Sequence, residues 1–520
     1  MPHTVARPTR AYAIESTGVN VALTLSPQQA QIMKVCREEN CHLIIEALAG
    51  TGKTTTILEA LKVLPRGKKV AFVCFNRTIA MELQNRVPRG VKAATLHSLG
   101  GKAVSDHAKK PLRDMLDRDK VAKMIPPLAS PHVRSATLRL VSLCKNTLTE
   151  PTTENLVGLA AEYGIELEDS TKVICGLTRG CLEKSKKDLT TIDFDDMLYL
   201  PVVLGLAVEK FDVLFVDESQ DLNRVQQELV MMSGSRIVLV GDKRQAIYRF
   251  RGADAHSMDN MRIMLEGTDR EVKVLPLTVT RRCPPAVVEL AQEIVPTFEC
   301  VPELWEPYLV WKTSGSTEEP PMEYGIVKHN STLEYRRGHM VLCRTNAPLV
   351  STAYGLIASD TPVKIQGKEI GLDLAKLIKR HAAPHDTVVD LGLRMGEWRA
   401  RETLRLTADP SKAISNEAKL QVLADKCDCI DALCQGMDTV QQVLDRIQLI
   451  FADVDASTDK RKFVLLSSVH RAKGLESHIV HIIEPGLMPH PMSTTPEEIQ
   501  QEMNLKYVAY TRAIQELHIH

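Results

Sequence analysis

Lys53 and Thr54 end the segment Ala47-Leu-Ala-Gly-Thr-Gly-Lys53-Thr54, which follows an apolar run and leads into a stretch of helix formers. That combination suits a chain of phosphates. Gly50 and Gly52 free the backbone of Ala49, Gly50, Thr51 and Gly52 to turn its N–H groups inward. A helix opening at Lys53 adds the positive end of its dipole. The Lys53 ammonium would reach the terminal phosphates, and the Thr54 hydroxyl, with Thr55 beside it, would bind Mg²⁺. A second group follows at the end of another apolar run, Val213-Leu-Phe-Val-Asp217-Glu218. Beside a phosphate loop, the first acid suits Mg²⁺ and the second suits the attacking water. A third run ends in Gly241-Asp242-Lys-Arg-Gln245, where an amide can sense a terminal phosphate. Beyond it, Tyr248, Phe250 and Arg251 interleave aromatic rings with guanidinium groups. Bases can stack on such rings while arginines hold phosphates, although aromatic side chains also serve as ordinary core.

These residues need a frame. Apolar runs at 42–48, 69–75, 213–219 and 236–242 predict buried strands, separated by helical stretches. Such alternation predicts a parallel sheet covered on both faces. Similar runs at 338–346, 462–470 and 478–485 predict a second sheet. The stretches 102–190 and 370–460 read as mainly helical insertions. Ser26, followed by Pro27, predicts the start of the first helix, and residues 1–24 read as an arm. The carboxylates Asp193, Asp195 and Asp196 could tempt a nuclease reading, but Asp193 is better suited to capping a helix.

Composition narrows the class. The 520 residues carry 65 basic and 65 acidic side chains, which argues against a wholly electrostatic nucleic-acid binder but leaves room for a local basic groove. The 12 cysteines are scattered through apolar runs. Cys427, Cys429 and Cys434 form the one cluster, and three thiols without a fourth ligand suit buried small hydrophobes better than a metal. No apolar run is long enough to span a bilayer, and the first residues lack the apolar stretch of a signal peptide. No membrane partner is expected. A cell interior is, with a bacterial or phage-infected cytoplasm foremost and a nucleus as the alternative.

Taken in order, the motifs resemble those of the UvrD/Rep-like superfamily 1A DNA helicases, from residue 25 almost to the last residue. Leu25-Ser-Pro-Gln-Gln29 is similar to the family's Q motif, which implies that Gln29 reads adenine. Phe75-Asn76-Arg77 resembles motif Ia and Thr95-Leu-His97-Ser98 motif Ib, both DNA contacts in relatives. Asp217-Glu218-Ser-Gln220-Asp221 resembles the DExQD signature, and Gly241 to Ala253 motif III, with Gln245 as sensor and Phe250 as the stacking residue. Arg281-Arg282 resembles motif IV, with Arg282 as an arginine finger. Ser468 to Glu476 resembles motif V, with Gly474 and Glu476 at the nucleotide and Ser468 and His470 near DNA. Asn504 to Ala513 resembles motif VI, with Arg512 as the second finger. The resemblance also places Arg344 and Asn346 with the DNA contacts.

It implies an α/β fold of two RecA-like P-loop cores with parallel sheets, each interrupted by a mainly helical accessory subdomain. The first core takes 25–101 and 191–275, and the second takes 276–369 and 461–520. It implies ATP and Mg²⁺, single-stranded and tailed duplex DNA, and movement from 3′ to 5′. Three departures bear on activity. Arg281 stands where relatives usually stack a tyrosine on the base. The 370–460 insertion is short. Residue 520 follows soon after motif VI, where relatives carry a strand-separating hairpin, so translocation is better supported than unwinding, unless residues 486–500 supply a substitute. The alternatives are a translocase that strips bound proteins and a non-hydrolysing nucleotide-gated clamp.

Overall fold

A computed structural model describes residues 25–74, 76–247, 254, 256–314, 320–330, 332, 334–408, 413–452, 458–491 and 493–520. Two wholly parallel sheets dominate it. The first has strands β1 (His42–Ala47), β2 (Val70–Val73), β3 (Val91–Ala94), β4 (Phe211–Val216), β5 (Gly234–Gly241) and β6 (Val272–Leu277), in the order β3-β2-β4-β5-β1-β6. Two-residue strands β7 (Val279–Thr280) and β8 (Glu299–Cys300) pair with each other. The second sheet holds β9 (Ile326–His329), β10 (Met340–Cys343), β11 (Val363–Gln366), β12 (Phe451–Ala452), β13 (Val464–Ser468), β14 (Ser477–Ile482) and β15 (Ala513–Ile519). Its order is β12-β11-β13-β10-β14-β15-β9.

Each sheet buries both faces, as parallel strands require. One face of the first sheet packs Leu43, Phe72 and Phe215, and the other packs Ile44, Leu214 and Leu239. The second sheet divides in the same way. Val341, Val464 and Leu466 face the helices of 368–450, while Met340, Leu342 and Val480 face Leu505 and Val508. The predicted insertions are helical. Pro131–Thr147, Thr153–Glu162 and Thr171–Lys187 share an apolar cluster that runs from Val104 to Leu206. Lys368–His381, Val388–Thr407, Ala413–Cys434 and Val440–Ile450 make the second.

Local signals explain several boundaries. The first helix, Pro27–Glu38, begins as expected: Ser26 and Gln29 exchange capping bonds, with Pro27 in the first turn. Arg236 of β5 then fixes that helix, donating to the carbonyls of Val35, Cys36 and Cys41 at 3.1, 2.9 and 2.8 Å. Asp193 Oδ1 accepts from the N–H of Asp196, the first residue of the helix Asp196–Val203, at 2.7 Å, but the N-cap position itself is Asp195, whose side chain makes no capping bond. Asp193 and Asp196 are then neutralised by Lys145 at 2.7 and 2.8 Å, which makes them structural anions. Cys427 and Cys429 are buried in the second helical unit. Among the described residues, no helix is long and apolar enough to cross a membrane.

Candidate nucleotide and nucleic-acid site

Strands β4, β5 and β1 are neighbours, so their carboxyl ends line one crevice, the usual ligand position in such sheets. β1 delivers the loop Leu48–Gly52. Gly50 and Gly52 take φ of +69° and +84°, conformations that glycine alone adopts without cost. Thr51 Oγ1 donates to Leu48 O at 2.9 Å and holds the turn. Lys53 opens the helix Lys53–Val63, its ammonium 3.3 Å from Leu48 O and 3.9 Å from Asp242 Oδ2. Gln29 is buried at the same helix start, where its amide donates to Thr56 Oγ1 at 2.9 Å.

β4 delivers Asp217 and Glu218. Glu218 sits at φ +50°, a strained conformation for a non-glycine residue and one that turns its carboxylate back toward the crevice. Gln220 ties the acids to β5: its amide nitrogen donates to Glu218 at 2.5 Å, and its oxygen accepts from Asp242 N at 3.0 Å. Gln245 in turn donates to Asp242 Oδ2 at 2.8 Å. The two acids part company electrically. Burial, then the Glu218 charge, push Asp217 up to about 7. Burial also works to raise Glu218, but Lys473, Lys53, Gln220 and Arg512 together hold it below the usual range. The Asp217 carboxylate at the end of β4 and the Thr54 hydroxyl in the first turn of the helix Lys53–Val63 are hard-oxygen donors of the kind that Mg²⁺ takes. A small recess beside the pair is lined by Cys74, His97, Asp217, Glu218, Asp221 and Gln226.

The second sheet closes on this crevice from the far side. Ala49 N donates to Tyr507 Oη at 3.0 Å, and Arg281 N to Gly50 O at 2.9 Å. Ala49 and Ile247 are counted in the second unit's apolar core. Lys473 bonds Asp221 at 2.5 Å and Gln245 O at 2.8 Å, while Asn504 reaches the carbonyls of Lys243 and Ala246 at 3.4 and 3.3 Å. Arg512 is 1 % exposed, and its hydrogen bonds go to neutral oxygens of Val508, Leu475 and Thr511. Burial, then neighbouring Arg282, lower its pKa to about 10. Arg282 itself is held by Glu476 at 2.7 Å. The expected ribose ligand Glu476 is thus engaged by Arg282, the residue expected as an arginine finger. Gly474 has φ +83° in the same loop, and the Arg281 side chain is exposed.

The expected nucleic-acid residues divide. Phe75, Tyr248, Phe250 and Arg251 lie outside the described residues. Asn76 and Arg77 are exposed at the start of the helix Arg77–Gln84, where Asn76 caps through Ile79 N at 2.9 Å. Thr95 caps the helix Leu96–Ala108, and His97 lines the acidic recess. Ser468 is buried at the end of β13, with His470 in the loop beyond. Arg344 and Asn346 are committed elsewhere: Arg344 forks onto buried Glu502 at 2.8–3.1 Å, and Asn346 binds Asp425 at 3.0 and 3.2 Å. Residue type and strand position could not reveal those partners. The residues that sequence left without a role are Gln220, Asp242, Lys473 and Tyr507; the DExQD string contains the first, and only distant pairings expose the others.

The UvrD/REP helicase N-terminal domain matches residues 25–264, and the UvrD-like helicase C-terminal domain matches 331–520. ATP-dependent DNA helicase Rep of Escherichia coli is 24% identical, with 91% of this chain and 88% of Rep covered. PcrA of Bacillus subtilis is 23% identical, with 95% of this chain and 82% of that protein covered. F-box DNA helicase protein 1 of Schizosaccharomyces pombe is 23% identical over 94% of this chain, which spans 56% of its length. With two parallel sheets meeting at the loop Leu48–Gly52, and both halves matched in order, the chain belongs to the UvrD/Rep-like superfamily 1A helicases.

Proposed function

We propose that the protein is an ATP-dependent DNA helicase or translocase that couples hydrolysis in the cleft between its two sheets to movement along single-stranded DNA. The family supports the chemistry, and the 3′ to 5′ polarity rests on the family alone. We assign 25–101 with 191–275 to the ATP-binding core, 276–369 with 461–520 to the closing core, and 102–190 and 370–460 to accessory units. The observation that carries the reading is Arg512. The hydrogen bonds of this buried guanidinium go to neutral oxygens, and although the Glu476 and Glu218 carboxylates act on it, burial and neighbouring Arg282 still lower its pKa, so a further anion is favourable there. The γ-phosphoryl group of a nucleotide cradled by the Lys53 loop is the anion that fits.

Thr54 and Asp217 would hold Mg²⁺, which when bound neutralises phosphate charge. Glu218, kept ionised by Lys473 and Lys53, is placed to orient and deprotonate water. Gln245 joins the acid network through Asp242 and, by its carbonyl, meets Lys473. Closure is what brings Arg282 and Arg512 to the same crevice, so loss of the phosphate bridge would loosen it and shift the grip on the strand.

ATPase assays with and without single-stranded DNA test the reading, and stimulation of at least tenfold is expected. Turnover indifferent to DNA would overturn it. Substrates with 3′ tails, 5′ tails and bound protein roadblocks then separate unwinding from protein displacement.

A further inference from the structure

Away from the nucleotide crevice, four histidines meet on the second sheet. His481 lies on β14 and His518 on β15, opposite each other in the parallel register. His520 follows two residues on, so strand alternation places it on the same face as His518. His339 immediately precedes β10. His481 Nδ1 stands 2.9 Å from His520 Nε2, and His481 Nε2 stands 3.0 Å from His339 Nδ1. Ligand nitrogens of His481, His518 and His520 all fall within 4.8 Å of one another. His481 is 1 % exposed, and Tyr335 packs edge-on against its ring at 5.0 Å.

The tautomers follow from one backbone donor. Arg336 N donates to His339 Nδ1 at 3.4 Å, so that nitrogen is an acceptor. His481 Nε2 must then carry the hydrogen that reaches it, which leaves His481 Nδ1 as a lone pair aimed at His520. His518 is oriented in the same manner: Nε2 meets the Glu516 carboxylate at 3.0 Å, which assigns Nδ1 to the other side. A histidine whose second nitrogen is held by a carboxylate or another acceptor is the usual arrangement behind a metal ligand. Lys328 pairs with His518 across the β15–β9 register, and Arg336 lies near His339 and is itself paired with Glu334 at 3.2 Å, while Glu516 supplies a carboxylate to His518.

We propose that His481, His518 and His520 form a binding site for a divalent imidazole-seeking cation, Zn²⁺ foremost, with His339 and Glu516 as orienting partners. Three neutral imidazoles and no thiolate suit Zn²⁺ and leave its fourth position to water. Nitrogens bound to one tetrahedral Zn²⁺ lie ~3.3 Å apart; His481 and His520 would part slightly from their present 2.9 Å, and a His518 nitrogen stands within 4.8 Å of both. A bound ion would tie β14 to β15 next to β10.

The test is Zn²⁺ titration of the chelator-treated full chain by calorimetry, with excess Mg²⁺ to fill hard-oxygen sites, and Co²⁺ absorption to report geometry. One equivalent, a tetrahedral Co²⁺ spectrum and a melting temperature raised by several degrees are expected. His520→Asn and His518→Asn should each weaken binding at least tenfold, and Glu516→Gln about tenfold or more. His520 is partly exposed, so that variant should fold even if one at buried His481 does not. No Zn²⁺ uptake by the wild type would reduce the cluster to a hydrogen-bonded row of rings and overturn the site. Uptake unchanged in both histidine variants would do so equally.

Discussion

Lys473→Met would cut the tightest polar link between the two cores while leaving most of the side-chain stem in place. Lys473 and Asp221 are 8 % and 3 % exposed at the side chain, so their bond is shielded from water. Burial chiefly, partly offset by Lys473, leaves Asp221 at about 6 against an ordinary 3.8. Without Lys473 that value rises further, and at pH 7 the acid becomes protonated. Protonation caps the added penalty at about 1.4 kcal/mol, one pH unit above the present value. Gln245 O loses its donor as well, which costs roughly 1–3 kcal/mol if nothing replaces it. The variant should therefore be about 2–4 kcal/mol less stable in its closed form, below the ~3–5 kcal/mol seen when a buried partner cannot neutralise itself. Thermal melting should drop by several degrees at pH 7.5, and DNA-stimulated turnover should fall at least tenfold, because Glu218 also loses the cation that holds it ionised. The sign with pH is fixed. Asp221 is raised in the fold, so its ionisation destabilises as pH climbs, and the deficit should shrink toward pH 5.5 as the wild type loses the pair too. Asp221→Asn in the Lys473→Met background should cost less than either change predicts by addition. Additive effects, or a Lys473→Met protein with wild-type melting and turnover, would refute the reasoning.

Three further outcomes are expected. Lys53→Ala should lower ATP turnover by at least a hundredfold while the melting profile stays near wild type, since its contacts are to Leu48 O and, at 3.9 Å, to Asp242; normal turnover would sink the phosphate-loop assignment. Gly50→Ala would put a Cβ 2.5 Å from Thr280 Oγ1 and 2.6 Å from Arg282 Cβ at a φ of +69°, so it should impair cleft closure and hydrolysis together; an active, unshifted variant would show that closure does not bring those residues so near. Glu209→Gln removes the carboxylate shared by Lys92, Lys69 and Lys102, whose hydrogen bonds, Lys92 first, lower it to about 2. After screening on these exposed lysines the loss is about 1 kcal/mol at neutral pH, and because the pKa is depressed it should fade as pH falls from about 4.5 toward 2. Melting at several pH values checks that window.

The chemistry at the ends of β1, β4 and β5 was legible because each piece is local: an apolar strand, two glycines or two acids, then a helix or turn. The two-sheet plan was legible for the same reason where strands run apolar throughout. β3 (Val-Lys-Ala-Ala) and β11 (Val-Lys-Ile-Gln) are short and interrupted by polar residues, and β15 is broken by Gln515, Glu516 and His518, so none gave a continuous apolar signal. β6 carries Pro276, which an edge strand tolerates and which masks it in sequence. Partners far apart in the chain were illegible. Arg344 and Asn346 sit at the end of a strand where a DNA contact is reasonable, yet Glu502 and Asp425, 158 and 79 residues away, take them. Lys473 finding Asp221 across 252 residues is the same limit.

Tyr507 gives its phenol oxygen to an amide of the phosphate loop 458 residues earlier in the chain. The loop's resting shape is therefore a joint property of both halves, and neither half carries a finished nucleotide pocket by itself. Parts swapped between relatives would not behave as interchangeable modules: a grafted second half must bring a tyrosine at this position, at this height above the loop, or the recipient's loop inherits an unanswered N–H. Covariation between the two halves should thus concentrate here, and a split protein should recover ATP affinity only when its fragments reassemble.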